Sequence, residues 1–341
     1  MCRILTHDGQ GSPAAAGNLT FSPRPLVQNS QMKILCLGTT PAAQRVMIFR
    51  KLTLDAVNRA ATTLDGAAGK SINVAKVLKV LGERPIATGF LGGDRGEFLR
   101  AALAQKKIES DFVTVSTRTR QCITVIDEWA STQTELVEES QPVEPEDFHK
   151  LMKVIRRRVS ECRAIVMSGT IVTGGLTGLY FDCAQLAENA GILSVVDAQG
   201  TALTEALKAK PGLVKPNRPE LAATVGCKFK DDAGVMKAMR ELHQRGARRV
   251  VVTAGKEPTL AFDGQTFWRI VAPRIKAMNP IGSGDAFTAG LVSHLLRGDD
   301  LGEACRWGSA AGAANALTLM PGELSRDDME QLALKVKIQK I

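Results

Sequence analysis

Aromatic side chains are scarce in this chain of 341 residues: they make up 4% of it, with a single tyrosine. A single-strand nucleic-acid binder stacks bases on aromatic platforms, so that class is not expected. Histidine is rare too, and His7, His149, His243 and His294 show no metal-ligand spacing, so no zinc-type centre is expected. The seven cysteines include no CxxC pair. Their odd number argues against a disulfide framework and for a reducing, cytoplasmic compartment. No apolar run reaches the roughly 18 residues that a membrane span needs. The N-terminus lacks the apolar region of a signal peptide. Neither a membrane nor a nucleic acid is expected as a partner.

What is present is enough apolar material for a sizeable core, 44% of the residues, and a net charge of +9. The densest basic run, Arg156-Arg157-Arg158, lies inside an amphipathic stretch and reads as a solvated face. An overall positive charge draws small anionic substrates.

Residues 1–31 are rich in Gly, Ser, Pro, Ala and Asn without a sustained period, and read as a flexible extension. From Lys33 onward strand and helix signals alternate. Strands are expected at 33–37, 85–90, 112–115, 164–167, 193–196, 212–214, 249–253, 259–262 and 266–270. Helices are expected at 72–81, 97–105, 146–159, 176–189, 202–207, 219–225, 234–244, 284–296 and 301–317. This rhythm predicts an α/β fold, a mainly parallel sheet with helices on both faces. One region breaks it: 122–126 and 134–137 read as a β-hairpin with no helix between.

In an open α/β sheet, ligands bind beyond the carboxyl ends of the strands. Asp197, Lys215-Pro216-Asn217 and Thr253-Ala254-Gly255 all follow expected strands. The stretch NPIGSGDAFTAG, 279–290, sets three small residues, Gly282, Ser283 and Gly284, before Asp285 at the mouth of a helix. The free N–H groups of such a turn can hold a phosphate or a developing negative charge. Asp285 beside that charge could take a proton from an attacking hydroxyl. The plainer alternative is an ordinary helix cap.

Several stretches in order resemble the PfkB/ribokinase family of sugar kinases, nearest its 1-phosphofructokinase and tagatose-6-phosphate kinase branch. They are GAAGKSINVAKVLKVLG (66–82), TGFLGGDRGEFL, SGT (168–170), VVDAQGTAL, LVKPNRPEL (213–221), VVTAGK (251–256) and NPIGSGDAFTAGL. The resemblance runs from about Lys33 to the C-terminus. It implies a ribokinase-like domain over 32–341, with a small β lid from segments near 46–62 and 118–140 that often forms a dimer interface. It implies ATP-dependent phosphorylation of a ketohexose phosphate, of the fructose 1-phosphate type, with Mg²⁺. Tagatose 6-phosphate, another sugar or nucleoside, or a catalytically weakened sugar binder are the alternatives.

Carried over residue by residue, the resemblance makes Asp285 the general base and Gly282, Ser283 and Gly284 the anion hole. Asn217 and Glu220 match an N-x-x-E motif that organises Mg²⁺ through water. Lys215 matches a contact to an ATP phosphate, Thr253 and Gly255 match the nucleotide-side loop, and Asn315 falls near the adenine. On the acceptor side it implies Gln44, Lys70, Asn73 and Arg120. Departures cluster there. Gln44 stands where the branch has a hydroxyl-gripping Asp, Ala68 and Ser71 replace glycines, and Gln121 and Cys122 replace a small polar residue and Asn. Pro280 replaces a Thr in the last signature. A working kinase with an altered sugar pocket is the expectation.

Overall fold

The computed structural model describes residues 32–173 and 178–341. The extension expected over 1–31, and the first residues of the helix expected from 176, lie outside them. Residues 32–341 form one unit.

The strands are β1 (Lys33–Gly38), β2 (Ala42–Phe49), β3 (Thr62–Ala68), β4 (Pro85–Leu91), β5 (Glu109–Ser110), β6 (Val113–Thr114), β7 (Arg120–Asp127), β8 (Thr132–Val137), β9 (Cys162–Ser168), β10 (Leu193–Asp197), β11 (Leu213–Val214), β12 (Val250–Ala254), β13 (Glu257–Phe262), β14 (Phe267–Val271) and β15 (Lys337–Lys340). The helices are α1 (Lys70–Val80), α2 (Gly93–Gln105), α3 (Pro145–Val159), α4 (Leu179–Asn189), α5 (Gly200–Leu207), α6 (Arg218–Val225), α7 (Asp232–Gln244), α8 (Ser283–Leu295), α9 (Leu301–Ala316) and α10 (Arg326–Ala333).

The large sheet runs β15-β14-β13-β12-β11-β10-β9-β1-β4-β5, with β6 also on β4. From β12 through β5 the pairs are parallel, and β13 to β15 add an antiparallel margin. Its central strands are continuous apolar runs because both faces are covered. Ile34 and Cys36 of β1 face a core shared with α1, α2, α8, α9 and α10. Leu35 and Leu37 face the opposite core, shared with α3, α4, α5, α6 and α7. Alternate side chains of one strand thus bind the two helical layers. Helix ends follow local chemistry. In α3, Pro145 opens the first turn with Glu146 and Asp147, and Arg156 to Arg158 close the last, each charge complementing the helix dipole.

A separate four-stranded sheet, order β3-β2-β7-β8, lines one cavity together with residues at the carboxyl ends of β10, β11 and β12. β2 and β7 are parallel, and the outer pairs are antiparallel. One face closes on a small core of Val46, Ile48, Ile126 and Met320, with Leu64 and Leu319 against it. Met320 belongs to the loop after α9, so the lid rests on a segment of the main body.

Candidate active site

The turn before Asp285 is built to place a helix mouth. Gly282 has φ of 82°, a left-handed conformation that glycine adopts without cost. A Cβ there would lie 2.7 Å from Cβ of Pro321. Ser283 N–H donates to Pro280 O at 3.1 Å. The N–H groups of Gly284 and Asp285 have no partner among the described residues. The free donors at this turn therefore sit on Gly284 and Asp285, and the Ser283 amide, expected in the anion hole, is already taken.

Asn315 was expected near an adenine. It is fully buried behind the turn instead. Its Nδ2 donates to Ile281 O at 2.9 Å and to Ser283 Oγ at 3.3 Å, and its Oδ1 accepts from Gly322 N at 2.8 Å. A polar group buried this deeply must be bonded, and these bonds brace the turn.

Asp285 is buried, and its Oδ2 accepts from Asn73 Nδ2 at 2.8 Å. Burial pushes its carboxyl up to about 6; Asp197 adds to the rise, while Lys70, Asn73 and Lys215 oppose it. Asn73, expected beside the sugar phosphate, thus holds the carboxylate, and its own buried Oδ1 has no partner among the described residues.

Around it lies a charge network. Lys70 Nζ is 3.5 Å from Asp197 Oδ1 and 3.2 Å from Glu220 Oε1. Lys215 Nζ is 3.0 Å from Asp197 Oδ2, which also accepts from Thr288 Oγ1 at 2.9 Å. Asp197 chiefly, with Asp285 and Glu220, holds Lys70 in its charged form against burial. Burial pushes the Asp197 carboxyl up, but Lys215 and Lys70 outweigh it and hold it below the ordinary value. Asp197 Oδ1 has no hydrogen-bond partner among the described residues. Asn217 and Glu220 form a capping box: Asn217 Oδ1 accepts from Glu220 N and Glu220 Oε2 accepts from Asn217 N, both at 2.8 Å. Glu220 Oε1 is left facing Lys70.

These groups share one cavity of about 310 Å³. Lys70, Asn73, Gly282, Gly284 and Asp285 line it. Lys215, Asn217, Glu220 and Thr253 line it as well, with Gln44 and Arg120 from the lid strands. Gly255 falls outside its lining, in the turn after β12 with φ of 62°. Gln44 is buried and its Nε2 donates to Thr124 Oγ1 at 2.9 Å. Arg120 donates to Thr40 O at 3.1 Å, while its buried Nε has no partner among the described residues. Cys122 and Glu135 complete the lid wall. Glu135 is absent from the sequence-level candidates. The signal for it was the period of two in the hairpin, which puts every second residue on the cavity face.

No cluster of three His, Cys, Asp or Glu suited to a metal exists among the described residues. Asp197 Oδ1, which makes no hydrogen bond among the described residues and meets Lys70 Nζ only at 3.5 Å, and the Glu220 carboxylate nevertheless fit a hard cation that takes most of its oxygens from phosphate and water.

The sequence pattern of the pfkB family of carbohydrate kinases matches residues 31–324. The chain is similar to a tagatose-6-phosphate kinase of Staphylococcus epidermidis, 31% identical over 308 residues, covering 89% of this chain and 99% of the relative. Among solved structures it is similar to phosphofructokinase-2 of Escherichia coli in complex with fructose-6-phosphate, at 28% identity and TM-score 0.81, covering 89% and 99% of the two chains. It shares its fold with Arabidopsis thaliana ribokinase, at TM-score 0.71 and 17% identity, covering 89% and 98%.

Proposed function

Because this chain belongs to the pfkB family of carbohydrate kinases and is therefore a phosphotransferase, we propose that it moves the γ-phosphoryl group of ATP to a hydroxyl of a ketohexose monophosphate. One observation carries the proposal: a buried carboxylate with a raised pKa, Asp285, beside free N–H groups at a helix mouth. Phosphoryl transfer asks a protein for positioning and charge neutralisation more than for covalent chemistry. Asp285 accepts the proton of the attacking hydroxyl. The amides of Gly284 and Asp285, with the dipole of α8, stabilise charge on the transferring oxygens. Lys215 neutralises phosphate charge at the nucleotide end, with Asn217 and Thr253 beside it. Asp197 and Glu220 would hold Mg²⁺, largely through water, and the ion would supply charge neutralisation at the phosphates. Lys70 and Arg120 attract the phosphate that the acceptor already carries.

Fructose 1-phosphate is the acceptor proposed from the sequence. Tagatose 6-phosphate is a second reading, favoured by the relative of that name at 31% identity. We also propose a homodimer through the outer face of the small sheet; a form of the E. coli enzyme is described as tetrameric and inhibited.

The test is ADP release with MgATP over fructose 1-phosphate, tagatose 6-phosphate, fructose 6-phosphate, fructose, ribose and adenosine, with Asp285→Asn alongside. Turnover of one ketohexose phosphate, abolished in the variant, is expected. Absence of MgATP binding would sink the proposal.

A further inference from the structure

The lid wall carries a carboxylate that nothing above uses. In the β7/β8 ladder Thr124 pairs with Glu135 and Cys122 with Val137. In the β2/β7 ladder Gln44 pairs with Cys122. Residues directly opposite share a face, so Glu135 stands on the cavity face with Gln44, Cys122 and Thr124, and it lines the cavity. Its neighbours Thr134 and Leu136 take the other face. Among the described residues no hydrogen bond or ion pair holds Glu135, although Gln44 beside it is tied to Thr124. Burial pushes the Glu135 carboxyl up and Arg120 pulls it back down. Glu135 is exposed, and its carboxylate lines the cavity with open acceptor sites that O–H groups of a ligand can fill.

The kind of donor follows from charge. Lys70 lines the cavity from α1 and Arg120 from the start of β7, while Glu135 pairs with Thr124, four residues farther along β7. A phosphate is drawn to the first two and repelled by the third. Neutral hydroxyls suit Glu135, since a carboxylate accepts short, strong bonds from O–H groups. Gln44 is uncharged, and its amide nitrogen is committed.

We infer that Glu135 is a specificity-determining residue of the acceptor pocket, its carboxylate gripping hydroxyls of the sugar from the lid wall. The inference rests on the kinase function proposed above.

The experiment compares wild type with Glu135→Ala, Glu135→Gln and, as a control on the other face, Thr134→Ala. The sugar identified above and its deoxy analogues are the substrates. Glu135→Ala should raise the KM for the sugar about 10- to 100-fold, with Glu135→Gln between it and wild type. KM for MgATP and the melting temperature should not move. Removing the gripped hydroxyl from the sugar should weaken wild type more than Glu135→Ala. An unchanged sugar KM in both variants, or an equal loss for MgATP, would overturn the inference. Calorimetric titration of the same sugar phosphates separates it from the function on which it rests. Binding that Glu135→Ala weakens, without turnover in wild type, leaves the pocket assignment standing and removes the kinase. No binding of any sugar phosphate to wild type removes both.

Discussion

Asp285 is under two opposed demands. As a base it must be ionised, yet it is buried, and burial lifts its carboxyl from 3.8 to about 6. Two predictions follow at this scale. The first concerns rate: kcat/KM should fall as pH drops through about 6, because protonation removes the acceptor of the hydroxyl proton. A pH profile of kcat/KM checks it, and Asp285→Asn should lower kcat by about 10²–10⁴ at every pH. The second concerns stability. The folded state holds this proton more tightly than the unfolded chain, so stability is lost as pH rises between roughly 4 and 6 and stays lost above. The gap from 3.8 to about 6 is worth about 3 kcal/mol. Asp285→Asn keeps the shape without the charge. It should therefore be more stable than wild type by about that amount at pH 7 and equal to it near pH 4. Denaturant melts at the two pH values check this, and a variant less stable at pH 7 would contradict the burial argument. Asn73 tempers the same group, since its hydrogen bond favours the ionised form.

At the scale of elements, the loop from 317 to 323 joins parts that the chain keeps far apart. Met320 fills the lid core, Pro321 abuts Gly282, and Gly322 packs on Asn73 with φ of 73°. Lys76, buried on α1, donates to Pro321 O at 2.6 Å and to Ala67 O at 3.2 Å. The lid, the anion-hole turn and the helix that bears Asn73 thus share one support. Met320→Ala should cost about 2–3 kcal/mol and raise the KM for the sugar more than that for MgATP, because the lid loses its floor. Melting curves with paired KM measurements check it. How much of this was legible in the sequence differs by element. The parallel strands were, since LSVV and VVV are short apolar runs bounded by turns. So was the helix at Asn217, whose capping box is a local pattern. β2 and β3 were expected only as a lid segment near 46–62 through the family resemblance, and the bounds of β3 were missed because Gly66, Ala67 and Ala68 are small and show no alternation. α10 was missed because only Met329, Leu332 and Ala333 of it are buried. In the site, contiguous motifs were readable, but what a side chain reaches was not. Asn315 in an Ala-rich helix gave no sign that it braces Ile281, Ser283 and Gly322. Lys70 gave none that Asp197 and Glu220 would meet it. Those contacts depend on segments brought together only by folding.

At the scale of the whole molecule, the small sheet has one face on the cavity and another that the described residues do not finish covering. Ile123, Val125 and Met47 are half-buried there, and Leu136 is 53% exposed. At its tip Leu54, Val57 and Trp129 stand 87%, 83% and 72% exposed, with Lys51 Nζ 4.6 Å above the indole ring. Scattered apolar side chains on a surface need no explanation, but a contiguous set on one sheet face marks a place for a partner. A second copy of the chain offers the same face, and such self-complementary contacts close into two-fold dimers. The proposed homodimer therefore makes a test that spares the cavity, because Ile123 and Leu136 alternate with the site-facing Cys122 and Glu135. Ile123→Asp with Leu136→Asp should shift the sedimenting mass from about twice 36.5 kDa to that of one chain, since two buried carboxylates per protomer cannot be paired across the interface. Because the face removed is the back of the lid, the same variant should also loosen the wall that carries Gln44 and Glu135. Its KM for the sugar should rise while binding of MgATP stays as it was. A variant that remains dimeric would place the contact elsewhere. One that becomes monomeric with an unchanged sugar KM would mean that the lid holds its shape without a partner.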